Sequence, residues 1–261
     1  MSITYIKKIK KIIVFYQTIF YNHFMNLYKE PLSRFLISYN LCSQRSAKNF
    51  IKNNEVVVNG NSIKDAAFLV DTENDTVIVG GKILPQVKHK YIMLNKPEGV
   101  VCSTVSDSHK TVYDLLKGNF NETELYKLKC VGRLDNNTSG LLLLSTNGTF
   151  VNQLTSPENE VEKTYFVKLR DSITDKKSYV LKAEKGIEIP PENKSPAFIS
   201  KSAFIKWLSD DSLEITVTEG KFHEIRRIFS ALGNYVVKLK RLKMGDFILD
   251  ETLNEGEFKF L

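Results

Sequence analysis

The chain of 261 residues is poor in cysteine: it has three, Cys42, Cys102 and Cys130, and no two form a C-x-x-C pair. That excludes a disulfide framework and a cysteine zinc site, and points to a reducing compartment, here the cytoplasm. The four histidines, His23, His89, His109 and His223, are scattered. With no H-x-x-x-H or H-E-x-x-H spacing, no metal centre is expected. There is no G-x-x-x-x-G-K-[ST] phosphate loop and no G-x-G-x-x-G, so no nucleotide cofactor is expected. Long apolar runs are missing too. The opening stretch, MSITYIKKIKKIIVFYQTIFYNHFMNLYKE, has no acidic residue before Glu30 and no small-residue cleavage site. Its uninterrupted apolar part is too short to cross a bilayer, so no membrane partner is expected. Residues 1–30 are read as an extension of their own. Two readings suit it: a basic amphipathic arm, or, preferred, sequence upstream of a working start near Met25.

What is present is ordinary globular material: 42% hydrophobic, 11% aromatic and 26% charged residues, enough for one large domain or two small ones. The net charge is +7, consistent with a nucleic-acid partner, although the clustering of charge matters more than its sum. From Leu32 to Asn54 the spacing predicts two short helices. Leu32, Phe35, Leu36 and Tyr39 line one face of the first, and Ala47, Phe50 and Ile51 one face of the second, with Ser43 as its N-cap. "EVVVNGNSIK" predicts a hairpin on an Asn-Gly turn, and "DTVIVGG" a third strand. Residues 31–81 are therefore read as one unit of about fifty residues, residues 82–89 as a linker, and residues 90–261 as a second domain. In that second part, strands and helices mix without regular βαβ alternation. The expected fold class is α+β with a mainly antiparallel mixed sheet.

One stretch stands out: "VGRLDNNTSGLLLLSTNG", Val131 to Gly148. Four leucines fit a buried strand. Asp135, just upstream among asparagines, threonine, serine and glycine, sits in turn chemistry against a core element. A loop held by a rigid strand is a common place for a catalytic carboxylate. It is also where a plain Asx turn forms.

Further segments decide between these. "LNKPEGVVCST", "GRLDNNTSGLLLLS", "EKTYFVKL" and "EGKFHEIRRIFSALGNYVVKLKRLKMGDF" together resemble the pseudouridine synthases of the RsuA and RluB type, over the chain from about Leu32 to its end. The first unit resembles the alpha-L RNA-binding module, of the ribosomal S-four type, through "SRFL", "SQRSAKNFIKNNEVVVNGNSIK" and "DTVIVGG". The resemblance implies an isomerase that turns a uridine of RNA into pseudouridine. The base leaves C1′, turns and reattaches through C5. No atom is gained or lost, so no cofactor is implied.

By the same resemblance, Asp135 is the catalytic carboxylate, whether it attacks the sugar, attacks the base or promotes a glycal. Arg226 is the basic residue that pairs with it and favours its charged form. Arg227, next along the helix, is expected to face RNA or solvent. Tyr165 stacks on the base and is a candidate to take the C5 proton; alone, it would read as a packed strand tyrosine. Arg133 helps displace the flipped nucleotide, and Lys96 lies near the RNA path. Arg45, Lys48 and Lys52 on the second helix are implied phosphate contacts, although most charged helix faces are merely solvated. In the run Lys238, Lys240, Arg241 and Lys243, strand alternation puts Lys238 and Lys240 on one side, following RNA backbone.

"GVVCSTVSDSHKTVYDLL" and "EGKFHEIRRIFSALGN", with the Phe222-His223 pair, resemble the small-subunit branch. Glu224 replaces a usual glutamine and Arg226 a frequent lysine. The expected partner is ribosomal RNA, 16S favoured over 23S, on a partly assembled subunit, with the protein acting as a monomer. A non-catalytic assembly factor would need only the basic unit. A carboxylate glycosidase would need a second placed acid.

Overall fold

The computed structural model describes residues 29–86, 88–192 and 195–261. The expectations for residues 1–28 lie outside them. The chain separates into two compact units, residues 1–89 and 90–261.

In the first unit, β1 (Lys29–Pro31) leads directly into α1 (Leu32–Ser38). So Lys29 and Glu30, assigned from sequence to the extension, belong to the fold: β1 pairs antiparallel with β4 (Leu69–Asp71). The second helix, α2 (Ala47–Asn53), starts after Ser46 and not after Ser43. The hydroxyls of Ser43 and Ser46 bond each other at 2.9 Å, and the Ser46 amide reaches the Ser43 carbonyl at 3.1 Å. Residues 43–46 thus close a turn before the helix can begin. β2 (Val56–Val58) and β3 (Asn61–Ser62) form the hairpin, with Asn59 and Gly60 both at positive φ, as a two-residue turn of this twist requires. β5 (Val77–Val79) pairs with β2, and Gly80-Gly81 turns it into β6 (Lys82–Leu84). Lys82 to Leu84, read from sequence as the start of a linker, therefore form a fourth strand. Leu32, Phe35, Leu36, Ile51, Val56, Val58, Val70 and Val77 make a core of the unit's own.

The second unit is a mixed α+β fold around one large sheet. Seven of its nine strands make the main path: β7 (Tyr91–Lys96), β8 (Ser139–Ser145), β9 (Lys163–Leu169), β10 (Phe204–Trp207), β11 (Ser212–Val217), β12 (Val236–Met244) and β13 (Phe258–Phe260). They lie in the order β10-β11-β9-β12-β8-β7-β13. Only the β8–β12 pair is parallel along this path; the others are antiparallel.

β8 is the "SGLLLLS" strand, and all seven residues are buried. A strand this apolar is covered on both faces. Leu142 and Leu144 join the main core. Behind Asn147, which caps α5 (Gly148–Thr155) through two backbone amides, Phe150 packs edge-on against Tyr91 and Phe247. Gly140, at φ +100°, has no alternative: a Cβ there would lie 2.3 Å from the Arg241 carbonyl oxygen. The close parallel approach of β8 and β12 depends on that glycine. Of the remaining helices, α3 (Val112–Leu116) and α4 (Glu122–Lys127) are each closed by a capping box, and α6 (Lys176–Lys185) precedes α7 (Glu224–Ala231). Among the described residues no helix is long and apolar enough to cross a membrane.

Candidate active site

A cleft of about 600 Å³ opens in the second unit, lined by the Gly132–Asp135 turn, Tyr165 of β9, the start of α7 and the Val101–Ser103 segment. Its volume suits a nucleotide-sized ligand. Asp135 sits in its wall with its side chain 37% exposed.

The turn carrying Asp135 is fastened on all sides. Lys96, at the end of β7, is fully buried. Its ammonium donates to the carbonyls of Pro97 at 2.9 Å, Asp135 at 3.1 Å and Thr138 at 2.8 Å. The Gly99 amide donates to the Asn136 carbonyl at 2.8 Å, and the Thr138 amide to the Asp135 carbonyl at 3.1 Å. The Leu134 amide donates to the Cys102 thiol sulfur at 3.4 Å. From α7, Arg226 Nη2 donates to the Asn137 carbonyl at 2.7 Å, and its Nη1 to the Val236 carbonyl at 3.0 Å. Such a cage holds the carboxylate without touching its oxygens, the arrangement a positioned catalytic group needs.

Two expectations change here. Lys96, expected near the RNA path, is sealed inside, where no phosphate reaches it, because the loop's carbonyls need a donor. Burial accordingly pushes its ammonium below the usual lysine range. Arg226 was expected to pair with the aspartate. It makes no ion pair with Asp135; it grips the loop's backbone two residues on. Burial lowers the Arg226 pKa, and the negative charges of Asp135 and Glu98 oppose that.

Arg227 also departs from expectation. It is 5% exposed and donates to the carbonyls of Pro190 at 2.7 Å and Pro196 at 3.0 Å, with its guanidinium over the Phe198 ring. It fastens α7 to the loop at Pro190 and Pro196 and faces neither RNA nor solvent.

Tyr165 is 9% exposed and forms part of the cleft. Burial raises its phenol pKa, and the neighbouring Arg241 holds that rise back. Arg241 is its cross-strand partner on β12. His223 stands at φ +50°, immediately before α7, with its ring stacked on Phe222 at 3.7 Å between centroids. Its Nε2 lies 3.9 Å from Asp135 Oδ1, and its Nδ1 3.7 Å from Glu192 Oε1. Arg133 is exposed on the same rim. So Asp135, Tyr165, Arg133 and His223 meet around one cleft, while Lys96 and Arg226 hold it from behind.

Lys238 is exposed and Lys240 half-buried, on the side of β12 opposite Leu239 and Arg241. Arg45, Lys48 and Lys52 are exposed on and just before α2 in the other unit.

Three site groups escaped sequence reading. Arg241 was counted in a basic run, yet it is 1% exposed; the signal was its alternation with Leu239 on the buried face of β12. Glu224, noted only as a departure, is 6% exposed in the cleft wall. Burial and the adjacent Glu219 carboxylate push its carboxyl up to about 7. Cys102 also lines the cleft, where a hydrogen bond from Cys130 brings its thiol down to about 6. Nothing in the spacing of two cysteines twenty-eight residues apart announces that contact. Among the described residues no group of acidic, cysteine and histidine side chains is arranged to hold a metal.

The comparisons place this sheet and its cleft in an RNA-modifying class. The profile of the RNA pseudouridylate synthase family matches residues 90–231, and the chain belongs to this family. Its curated relatives are more specific. It is 35% identical over 228 residues to the ribosomal small subunit pseudouridine synthase A of Salmonella typhimurium, covering 87% of this chain and 94% of the relative. With the protein of the same name from Haemophilus influenzae it shares 36% over 218 residues, covering 83% and 89%. A crystal structure of a pseudouridylate synthase superposes with a TM-score of 0.61 at 34% identity, covering 88% of this chain and 95% of that one.

Proposed function

We propose that this pseudouridine synthase isomerises one uridine of small-subunit (16S) ribosomal RNA, acting in the cytoplasm as a monomer on a partly assembled subunit. The carrying observation is the caged Asp135 and Tyr165 lining one nucleotide-sized cleft, in a chain whose curated relatives bear the small-subunit name. In the reaction the C1′–N1 bond breaks, the base rotates, and a C1′–C5 bond forms. C5 then gives up its proton and N1 takes one. Asp135 supplies the carboxylate beside the ribose. Tyr165 supports the base and is the candidate to help remove the C5 proton, with Arg241 beside it favouring the phenolate. Arg133 occupies the rim from which the nucleotide turns in, and His223 with Phe222 offers a stacked edge to it. The first unit serves as an alpha-L RNA-binding module, with Arg45, Lys48 and Lys52 on phosphates; Lys238 and Lys240 extend the contact on the second unit.

The test is carbodiimide mapping of pseudouridine in rRNA from cells lacking the protein, with add-back of wild type or Asp135→Asn. One 16S signal should vanish and return only with wild type. Return with Asp135→Asn removes the aspartate from the chemistry. A lost 23S signal moves the enzyme to the large subunit. If no signal changes, the protein is a non-catalytic assembly factor.

A further inference from the structure

Beside Tyr165 lies a second cavity of about 300 Å³ that shares Gly132, Arg133, Tyr165, Gly220 and Lys221 with the cleft. Its charged lining is Arg133, Lys163, Lys201, Lys221 and Arg241 against Glu219. Lys221 pairs with Glu219 at 2.8 Å and Lys201 with Glu160 at 2.7 Å. Lys163 donates only to carbonyls, those of Val161, Thr218 and Glu219. Five cations thus meet Glu219 in the lining, with Glu160 on Lys201 and Glu224 beside Lys163 and Glu219 behind it, and the cavity keeps a positive excess.

Arg241 carries the inference further. Its Nε donates to the Leu141 carbonyl at 2.8 Å, while its Nη2, buried, has no hydrogen-bond partner. A buried guanidinium nitrogen left unpaired is costly, so such groups in native proteins call for an explanation. Lys163 and Arg241 also repel each other across this space: burial first, and then Arg241, lowers the Lys163 pKa. An anion between them gives Nη2 an acceptor and relieves the repulsion together.

Resting on the small-subunit RNA reading above, we propose that this cavity is a phosphodiester subsite, taking the backbone phosphate that adjoins the uridine whose base enters the cleft. The shared wall sets a base site and an anion site side by side, as base and phosphate are joined in one nucleotide. The two non-bridging oxygens of the phosphate would accept from Arg241 Nη2 and from the lysine ammoniums.

Phosphate-ethylation interference tests it. A small-subunit rRNA fragment is ethylated sparsely, and molecules still binding the full-length protein are selected. Wild type is expected to reject RNA ethylated at a phosphate next to the modified uridine. Lys201→Gln and Arg241→Gln should erase that interference, and each should lower the salt slope of binding by about one. No interference beside the uridine, or an unchanged pattern in both variants, overturns the subsite. Arg241→Gln sits in the core; if it fails to fold, Lys201→Gln, at an exposed ammonium, decides alone. Pseudouridine formation by wild type in the same fragment checks the function separately, since the binding readout needs no turnover. An interference lost in the variants at a phosphate distant from any modified uridine would also refute the placement.

Discussion

Lys96→Met separates a fastener from an RNA contact. The substitution keeps the apolar stem and removes the ammonium from three carbonyls. The Asp135 carbonyl keeps the Thr138 amide. The Pro97 and Thr138 carbonyls lose this donor in a buried place, at roughly 1–3 kcal/mol each. Against this, the variant no longer buries a cation, which offsets part of the loss. The net cost is about 3 kcal/mol, or a fall in Tm of about 6–12 °C for a domain of this size. The freed loop displaces Asp135, and a shift of about 1 Å at a reacting group costs on the order of a hundredfold in kcat. RNA affinity and its salt slope should not move, because the ammonium never reaches the surface. Calorimetry, single-turnover pseudouridine formation and anisotropy at several salt concentrations read the three quantities. A variant that turns over normally but binds RNA more weakly, with a shallower salt slope, would refute the reasoning.

Glu224→Gln should stabilise the protein in a pH-dependent way. The folded pKa of Glu224 stands near 7, above its ordinary value of 4.5. Its contribution is thus fully present below the lower value and lost as pH rises through the upper one. The loss is worth on the order of 1–3 kcal/mol, because Glu219, held low, offsets part of it. The Tm gain of the variant should be larger at pH 8 than at pH 5; an equal gain at both contradicts the assignment. Cys102, with its thiol near 6, should alkylate before Cys130 at neutral pH and block turnover as it does so, read by peptide mass mapping. Equal labelling of the two would rule out the thiol pair. Arg45→Ala with Lys48→Ala should weaken RNA binding and reduce the salt slope by about two, with kcat unchanged. An unchanged slope takes α2 off the RNA.

Sequence alone determined the elements that carry a clear hydrophobic period. Leu213, Ile215 and Val217 alternate, and β11 buries all three; Ile225, Ile228 and Phe229 follow the helical period, and α7 buries all three. Such periodicities arise from local geometry and survive without knowledge of neighbours. The Asn-Gly hairpin was likewise readable as turn chemistry. Asp135 stood out because turn residues met a buried strand. What only the tertiary structure decided is which way each charge faces and what it meets. Lys96 and Arg227 look like surface cations in the sequence, and both are buried on carbonyls of distant segments. Arg241 looks like one more member of a basic run, until β12 pairs it with Tyr165 and leaves its Nη2 without a partner. Cys102 and Cys130 meet only after the Val101–Ser103 segment folds onto the turn before Asp135. Hydrophobic period is written into neighbouring residues, but the partner of a buried charge is chosen by contacts across the chain, and those exist only once the sheet has assembled.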